Sequence, residues 1–209
     1  MSLKPISVVN SMSYEDFISI FGNVIEHCSL CAAAVWRDRP FSDVNSLHKS
    51  FCQFADQLPI GGKEGILRLH PDLAGRLAMS GGLTNESTKE QQSAGLNTLT
   101  DQEKKTMHHL NQQYKQKFGF PFVICARENK KEAILTGLER RLNNSGETEA
   151  VTGVEEVKKI CRLRLHLKHS CLYHEVSFYW WIESQSTRRE LAVHSQLRLK
   201  SRDPDKYKC

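Results

Sequence analysis

The sequence predicts an all-α fold, a compact single-domain helical bundle, on three observations. Apolar residues recur at spacings of three and four through most of the first 165 positions. Capping residues stand in front of several of those runs. The one apolar run too short and too interrupted for a helix has no second strand to pair with.

Taken in order, Ser13 can cap a helix whose Asp16 stands three residues on, with Phe17, Ile20, Phe21 and Val24 as its apolar face. A second helix is expected from Leu30 to Trp36, ending before Arg39-Pro40. A third starts near Ser42 with Val44, Leu47, Phe51, Phe54 and Leu58 on one side. The turn Pro59-Ile60-Gly61-Gly62 closes that helix, and residues 65–75 read as a short segment punctuated by Gly and Pro. A further helix is expected to begin at Ser87 and run through Glu90 to about Leu96, with Ser87 and Glu90 as its capping box. Thr100 and Glu103 form another box, ahead of a helix whose core face is Met107, Leu110, Tyr114 and Phe118. The run from Phe118 to Ala126 contains Gly119 and Pro121 and reads as an extended buried connector. Two last helices follow, Lys130 to Leu142 and Thr148 to about Leu165, the latter turning Val154, Val157 and Cys161 inward. Residues 1–166 form the expected domain, and 167–209 a divergent extension, basic and aromatic, with the compact run Phe178-Tyr179-Trp180-Trp181-Ile182.

Composition narrows the function classes. With 209 residues, 39% hydrophobic and 25% charged, the chain can bury one substantial core, and no stretch has the length of apolar residues a membrane span needs. No membrane partner is expected. The N-terminus lacks a basic patch followed by an apolar run, so the protein is expected to stay inside the cell. Residues 167–209 hold eight Lys/Arg and five Asp/Glu, a surplus of three in a net charge of +5, so the main body carries only +2. That leaves no basic stripe, and no nucleic-acid partner is expected. The seven cysteines are odd in number and scattered, which suits reduced thiols better than a disulfide framework. Cys28 and Cys31 form one CxxC with no second pair, a weak signal for zinc or redox chemistry.

Three residues stand out as candidates for chemistry. His70 precedes Pro71, which biases it out of the α region and toward a turn where an imidazole can meet a ligand; the bland alternative is a hydrogen bond to a turn carbonyl. Glu90, with Gln91 beside it, is either a capping carboxylate or a site residue, and the helix start near Ser87 offers N–H groups to an anion. Arg164 in Arg162-Leu163-Arg164-Leu165 is either a solvated charge or a fixed cation for a carboxylate. The nucleotide-binding patterns GxGxxG and GxxxxGK[ST], the zinc-protease HExxH and the hydrolase GxSxG are all absent.

The order and context of these blocks resemble one family, the 2-oxo-4-hydroxy-4-carboxy-5-ureidoimidazoline (OHCU) decarboxylases. The likeness runs from about Val9 to Leu165 through Phe21-Gly22-Asn23, Arg39-Pro40-Phe41, His70-Pro71-Asp72-Leu73-Ala74-Gly75, Glu90-Gln91, Phe118-Gly119-Phe120-Pro121-Phe122-Val123 and Leu163-Arg164-Leu165. The resemblance implies a lyase of urate degradation that forms (S)-allantoin, with His70 as acid/base and Glu90 and Arg164 as its catalytic companions. It further implies a substrate pocket from Pro71, Ser87, Glu90, Gln91, Phe122, Val123, Ile124, Cys125 and Ala126. Because the substrate contains its own electron sink, no cofactor and no metal are implied. In this reading Glu90 holds His70, and Arg164 with the N–H groups near Ser87 positions the anionic substrate. A homodimer and a peroxisomal location are implied as well, although the chain ends Lys206-Tyr207-Lys208-Cys209 rather than in an SKL-type signal, which makes the cytoplasm the alternative. The competing reading is a non-catalytic helical module that binds another protein. A hydrolase would need a nucleophile or metal constellation that the sequence does not offer.

Overall fold

The computed structural model describes residues 4–169, and within them every regular element is helical. Ten α-helices follow one another: α1 (Lys4–Ser11), α2 (Tyr14–Phe21), α3 (Ser29–Trp36), α4 (Val44–Gln57), α5 (Ile60–Arg68), α6 (Arg76–Ser80), α7 (Asn85–Ser93), α8 (Asp101–Phe118), α9 (Lys131–Arg141) and α10 (146–169). Short 3-10 turns lie at Leu96–Thr98 and Ala126–Glu128. The all-α expectation holds. The aromatic run at 178–182 lies outside the described residues.

Several of the helices start where side chains satisfy their free N–H groups. Ser13 accepts from the Asp16 amide ahead of α2, and Thr100 and Glu103 form the reciprocal box ahead of α8. Asp43 and Ser46 do the same for α4, starting it one residue after the cap. Besides α6, which no expected helix covers, three elements differ from the sequence expectation. Helix α1 precedes the first expected helix, and its end is tied down by Asn10, whose side chain donates to Phe41 O and accepts from Phe41 N, both at 2.8 Å. Arg39 reaches the same place, donating to Asn10 O and Met12 O.

The second difference is α5, which forms across Gly61, Gly62 and Gly65 in spite of their poor helix propensity, because Ile66 and Leu67 are buried in the core. Gly153 of α10 lets the two helices approach: a Cβ there would stand 2.8 Å from Leu67 Cδ2. The third is α7, which starts at Asn85 and not at Ser87. Thr84 is its cap, accepting from the Ser87 amide at 3.2 Å, so the expected Ser87–Glu90 capping box does not form.

The core is continuous from Phe17, Phe21 and Ile25 through Phe51 and Leu67 to Tyr114, Phe122, Ile134 and Leu165. Each large apolar side chain so buried contributes roughly 1.5–3 kcal/mol. The segment after α8 is extended and buried, as its sequence predicts, and has no sheet to satisfy its backbone. Side chains take over that work. Arg141 of α9 donates to Val123 O at 2.8 Å, and Glu156 of α10 accepts from Cys125 N at 2.8 Å. The connector is thereby held as a rigid wall between α9 and α10.

Candidate active site

The residues between α5 and α6 make a turn whose shape is dictated locally. Ala74 lies in the left-handed region at φ +48°, and a Cβ on Gly75 would come within 2.6 Å of Asp72 Cβ, so the tight return needs glycine there. Three neighbours fix the turn. Gln91 Oε1 accepts from Ala74 N at 2.9 Å, Asn111 donates to Leu73 O at 2.9 Å, and Lys115 pairs with Asp72 at 2.6 Å. His70, two residues beyond the end of α5, opens this turn. Its Nδ1 stands 3.1 Å from Ile66 O.

That bond sets the tautomer. A carbonyl only accepts, so Nδ1 carries the proton and Nε2 of the neutral ring presents a lone pair. Nε2 is buried and has no hydrogen-bond partner. Burial, with the Arg164 charge adding to it, pulls the His70 pKa down to about 4, and the ring is neutral at pH 7. A buried acceptor left without a donor costs free energy, and such a group marks a place where a ligand can supply the missing proton.

Arg164 comes from far along the chain, on α10, and is only 2% exposed. Its Nε and Nη2 each donate to a Glu90 oxygen at 2.7 Å in a bidentate pair. Nη1 donates to Asn23 O at 2.9 Å and faces Glu26 Oε2 at 2.6 Å, while Nη2 also donates to Ser87 Oγ at 3.1 Å. All five guanidinium N–H groups therefore face protein acceptors. Burial opposes this charge, but Glu90 and Glu26 outweigh it and hold the Arg164 pKa above its ordinary value.

Glu26 is the residue that sequence reasoning missed. It is fully buried, accepts from Thr84 and Ser87 hydroxyls at 2.9 Å each, and pairs with Arg164. Desolvation opposes its ionisation, yet Arg164 and the two hydroxyls keep its pKa below the usual carboxylate value. The available signal was a carboxylate directly after Val24-Ile25, both of which are core residues.

A narrow cleft brings most of the expected residues together. His70, Pro71, Ser87, Glu90, Gln91, Phe122, Val123, Ile124, Ala126 and Arg164 line it, joined by Leu73 and Ile160, which were not anticipated. Cys125 is not in the lining; its side chain is buried and its amide is taken by Glu156. Two expected contacts differ. His70 is anchored by Ile66 O, not by Glu90, whose partner is Arg164. The Ser87 amide is taken by Thr84, so it is no free donor for an anion. Among the described residues no group of three or more His, Cys, Asp or Glu side chains is placed to hold a metal ion.

Chemically, the cleft pairs a neutral imidazole that can accept a proton with a carboxylate fixed by a guanidinium, against an apolar wall. Known proteins share this chain's sequence and fold. Residues 10–166 match the family described as OHCU decarboxylase. The 2-oxo-4-hydroxy-4-carboxy-5-ureidoimidazoline decarboxylase of Amia calva is 55% identical over 157 residues, 75% of this chain and 90% of that protein. Its Xenopus laevis counterpart is 52% identical over 160 residues, 77% of this chain and 91% of that protein. A solved structure of OHCU decarboxylase in the presence of (S)-allantoin superposes with a TM-score of 0.59 at 21% identity, covering 76% of this chain and 99% of that one, a likeness of fold. The chain belongs to the OHCU decarboxylase family.

Proposed function

We propose that the cleft around His70 carries the decarboxylation of 2-oxo-4-hydroxy-4-carboxy-5-ureidoimidazoline to (S)-allantoin, a step of urate degradation. The observation that carries this reading is the buried, unpartnered Nε2 of a neutral His70 in a cleft that the Arg164–Glu90 pair also lines. Membership of the decarboxylase family supports the reaction class.

The substrate carries its hydroxyl and carboxylate on one ring carbon, beside a C=N bond. When the carboxylate leaves as carbon dioxide, the electron pair of the broken bond flows toward that C=N, whose nitrogen takes up a proton from solvent, giving an enol-like intermediate. The hydroxyl then becomes a carbonyl as it loses its proton, and the neighbouring carbon gains one. The protein has two tasks, to move these protons and to orient the ring. His70 Nε2 takes the hydroxyl proton. The bound anionic substrate itself favours this by raising the pKa of the ring from its low resting value. Protonation of the neighbouring carbon from one face of the cleft then sets the hand of the product.

Glu90, locked in orientation by Arg164, faces the cleft as a second proton-handling group or as an acceptor for substrate N–H groups. Arg164 has its donors matched by protein acceptors, and its part is to hold this carboxylate and set the local charge. Phe122, Val123, Ile124 and Ala126 keep the reacting carboxylate from bulk water, which lowers the cost of losing its charge.

The test is optical. With substrate generated in situ from urate, the protein is expected to give a rapid circular-dichroism signal of (S)-allantoin, where spontaneous decay gives racemate. His70→Ala should lower the rate by about 10²- to 10⁴-fold, the range of general acid–base catalysis. A rate equal to that of the protein-free control sinks the reading. The same family reading makes the protein a homodimer in the peroxisome, with the cytoplasm as the alternative compartment. Exposed Leu77 and Met79 on α6 offer apolar surface for a second copy. Light scattering should then give twice the monomer mass, and co-localisation with a peroxisomal marker checks the compartment.

A further inference from the structure

The Cys28-Ser29-Leu30-Cys31 motif remains outside the decarboxylation chemistry, and the fold gives it a specific geometry. Cys28 is the N-cap of α3, and Cys31 lies in the helix's first turn. The two sulfurs stand 3.0 Å apart, one thiol bonded to the other. Cys31 is buried, whereas Cys28 is partly accessible between exposed His27, Ser29 and Leu30. One sulfur thus meets solvent and the other waits beneath it.

We propose that Cys28 and Cys31 form a second reactive site, a dithiol that a small hydroperoxide oxidises to an intramolecular disulfide. The Cys28 thiolate attacks one peroxide oxygen, and the O–O bond breaks. Sulfur is oxidised to the sulfenic acid, and the leaving oxygen takes a proton as water or an alcohol. Cys31 then attacks the Cys28 sulfur. The S–S bond forms, the S–O bond breaks, and hydroxide leaves with the Cys31 proton as water.

The surroundings select Cys28 over the other described cysteines. The Cys31 S–H bond, against burial and aided by the Leu30 and Cys31 amides at the helix start, pulls the Cys28 pKa down to about 6. Burial pushes Cys125 up to about 11 and Cys161 well above its ordinary value, and it raises Cys52 beside His48. Closing the bridge shortens the sulfur separation from 3.0 Å to about 2.05 Å. That movement falls two residues from Glu26, which pairs with Arg164. On the decarboxylase reading, oxidation therefore slows the enzyme by disturbing the Arg164 cluster.

Titration of the full-length protein with hydrogen peroxide, followed by alkylation and peptide mass mapping, tests the chemistry independently of any decarboxylase activity. The expected product is a loss of two hydrogens on the peptide that holds both Cys28 and Cys31, reversed by dithiothreitol. Cys31→Ser should stop at a sulfenic acid on Cys28, trapped by dimedone. In the untreated protein at pH 7, Cys28 should alkylate about tenfold faster than an ordinary thiol. Oxidation at any other cysteine first, a bridge from Cys28 to Cys161, Cys171 or Cys209, or ordinary alkylation at Cys28 overturns the site. Desalted oxidised protein should form allantoin several-fold more slowly and recover with thiol, while Cys28→Ser keeps its rate through peroxide. An oxidised enzyme that works at full rate overturns the link to Arg164 and leaves the decarboxylase reading intact.

Discussion

Two buried arginines in this protein answer the same physical problem in different ways. Arg141 of α9 faces Glu149 Oε1 through Nε at 2.7 Å and Nη2 at 2.5 Å, donates to Val123 O, and shares Glu149 with Tyr114 and Asn144. One guanidinium meets one carboxylate. Arg164 of α10 meets two, Glu26 and Glu90, with Ser87 and Asn23 completing its bonds. Only the second cluster borders the cleft and His70. A one-to-one pair that reaches the cleft only through the backbone of Val123 and the ring of Phe122 serves to hold the wall in place. A cluster with one carboxyl group more than its cation needs, beside an unpartnered imidazole, has a group left over for proton chemistry.

The largest expected effect comes from the unbalanced cluster. Arg164→Ala leaves two buried carboxyl groups without their cation, and should cost about 3–5 kcal/mol of stability and about a thousandfold in (S)-allantoin formation. Urea denaturation and the dichroism assay read the two losses separately. Arg141→Ala should cost a similar amount, about 3–5 kcal/mol, since it strands Glu149, yet lower the rate of the remaining folded protein by less than about tenfold, because it reaches the cleft only through Val123 O and the Phe122 ring. Equal rate losses in both variants would erase the distinction between the clusters.

Glu90→Gln sharpens the comparison within the site, because it keeps the shape and one of the two bonds from Arg164 but replaces the other acceptor with an amide donor and removes the carboxyl group. A rate loss of about 10²-fold with about 1.5–3 kcal/mol of destabilisation, the cost of one bond to a charged group, is expected, measured by the same two assays. The pH dependence isolates His70. Its folded pKa of about 4 lies below the ordinary 6.5, so the unfolded chain takes up the proton first. Stability from keeping the ring neutral is complete above about 6.5 and is lost as pH falls to about 4. His70→Asn should remove that part of the acid lability, leaving the part below 4.5 that comes from the lowered Glu26 pKa. For the intact enzyme, kcat/KM should fall as pH drops through about 4, while kcat, which reports the substrate complex, should fall at higher pH.

Much of this was legible in the sequence, and the reasons differ by element. Helices α2 and α8 could be read because Ser13 and Thr100 announce them and the apolar spacing behind each is regular. Helix α5 could not, since three glycines argue against it and only the tertiary burial of Ile66 and Leu67 argues for it. At α7, Ser87 with Glu90 three residues on reads as the cap, and the backbone gives that place to Thr84 one turn earlier. His70, Glu90 and Arg164 were reachable through their motif contexts. Their mutual arrangement was not, because Glu90 and Arg164 are 74 positions apart and Glu26 carries no motif.

The smallest expected effect is the most discriminating about how the cluster is built. Ser87 Oγ donates to Glu26 and accepts from Arg164, and so joins a carboxylate to the guanidinium through one hydroxyl. Ser87→Ala removes both bonds but leaves Thr84 on Glu26 and the bidentate Glu90 pair on Arg164. Each lost bond involves a charged partner that keeps other partners, so the combined cost should be about 1–3 kcal/mol. If Ser87 only braces Arg164, the rate should drop a few-fold with KM unchanged. If its hydroxyl also meets substrate from the cleft wall it lines, KM should rise instead, because a contact made equally in ground and transition states affects binding alone.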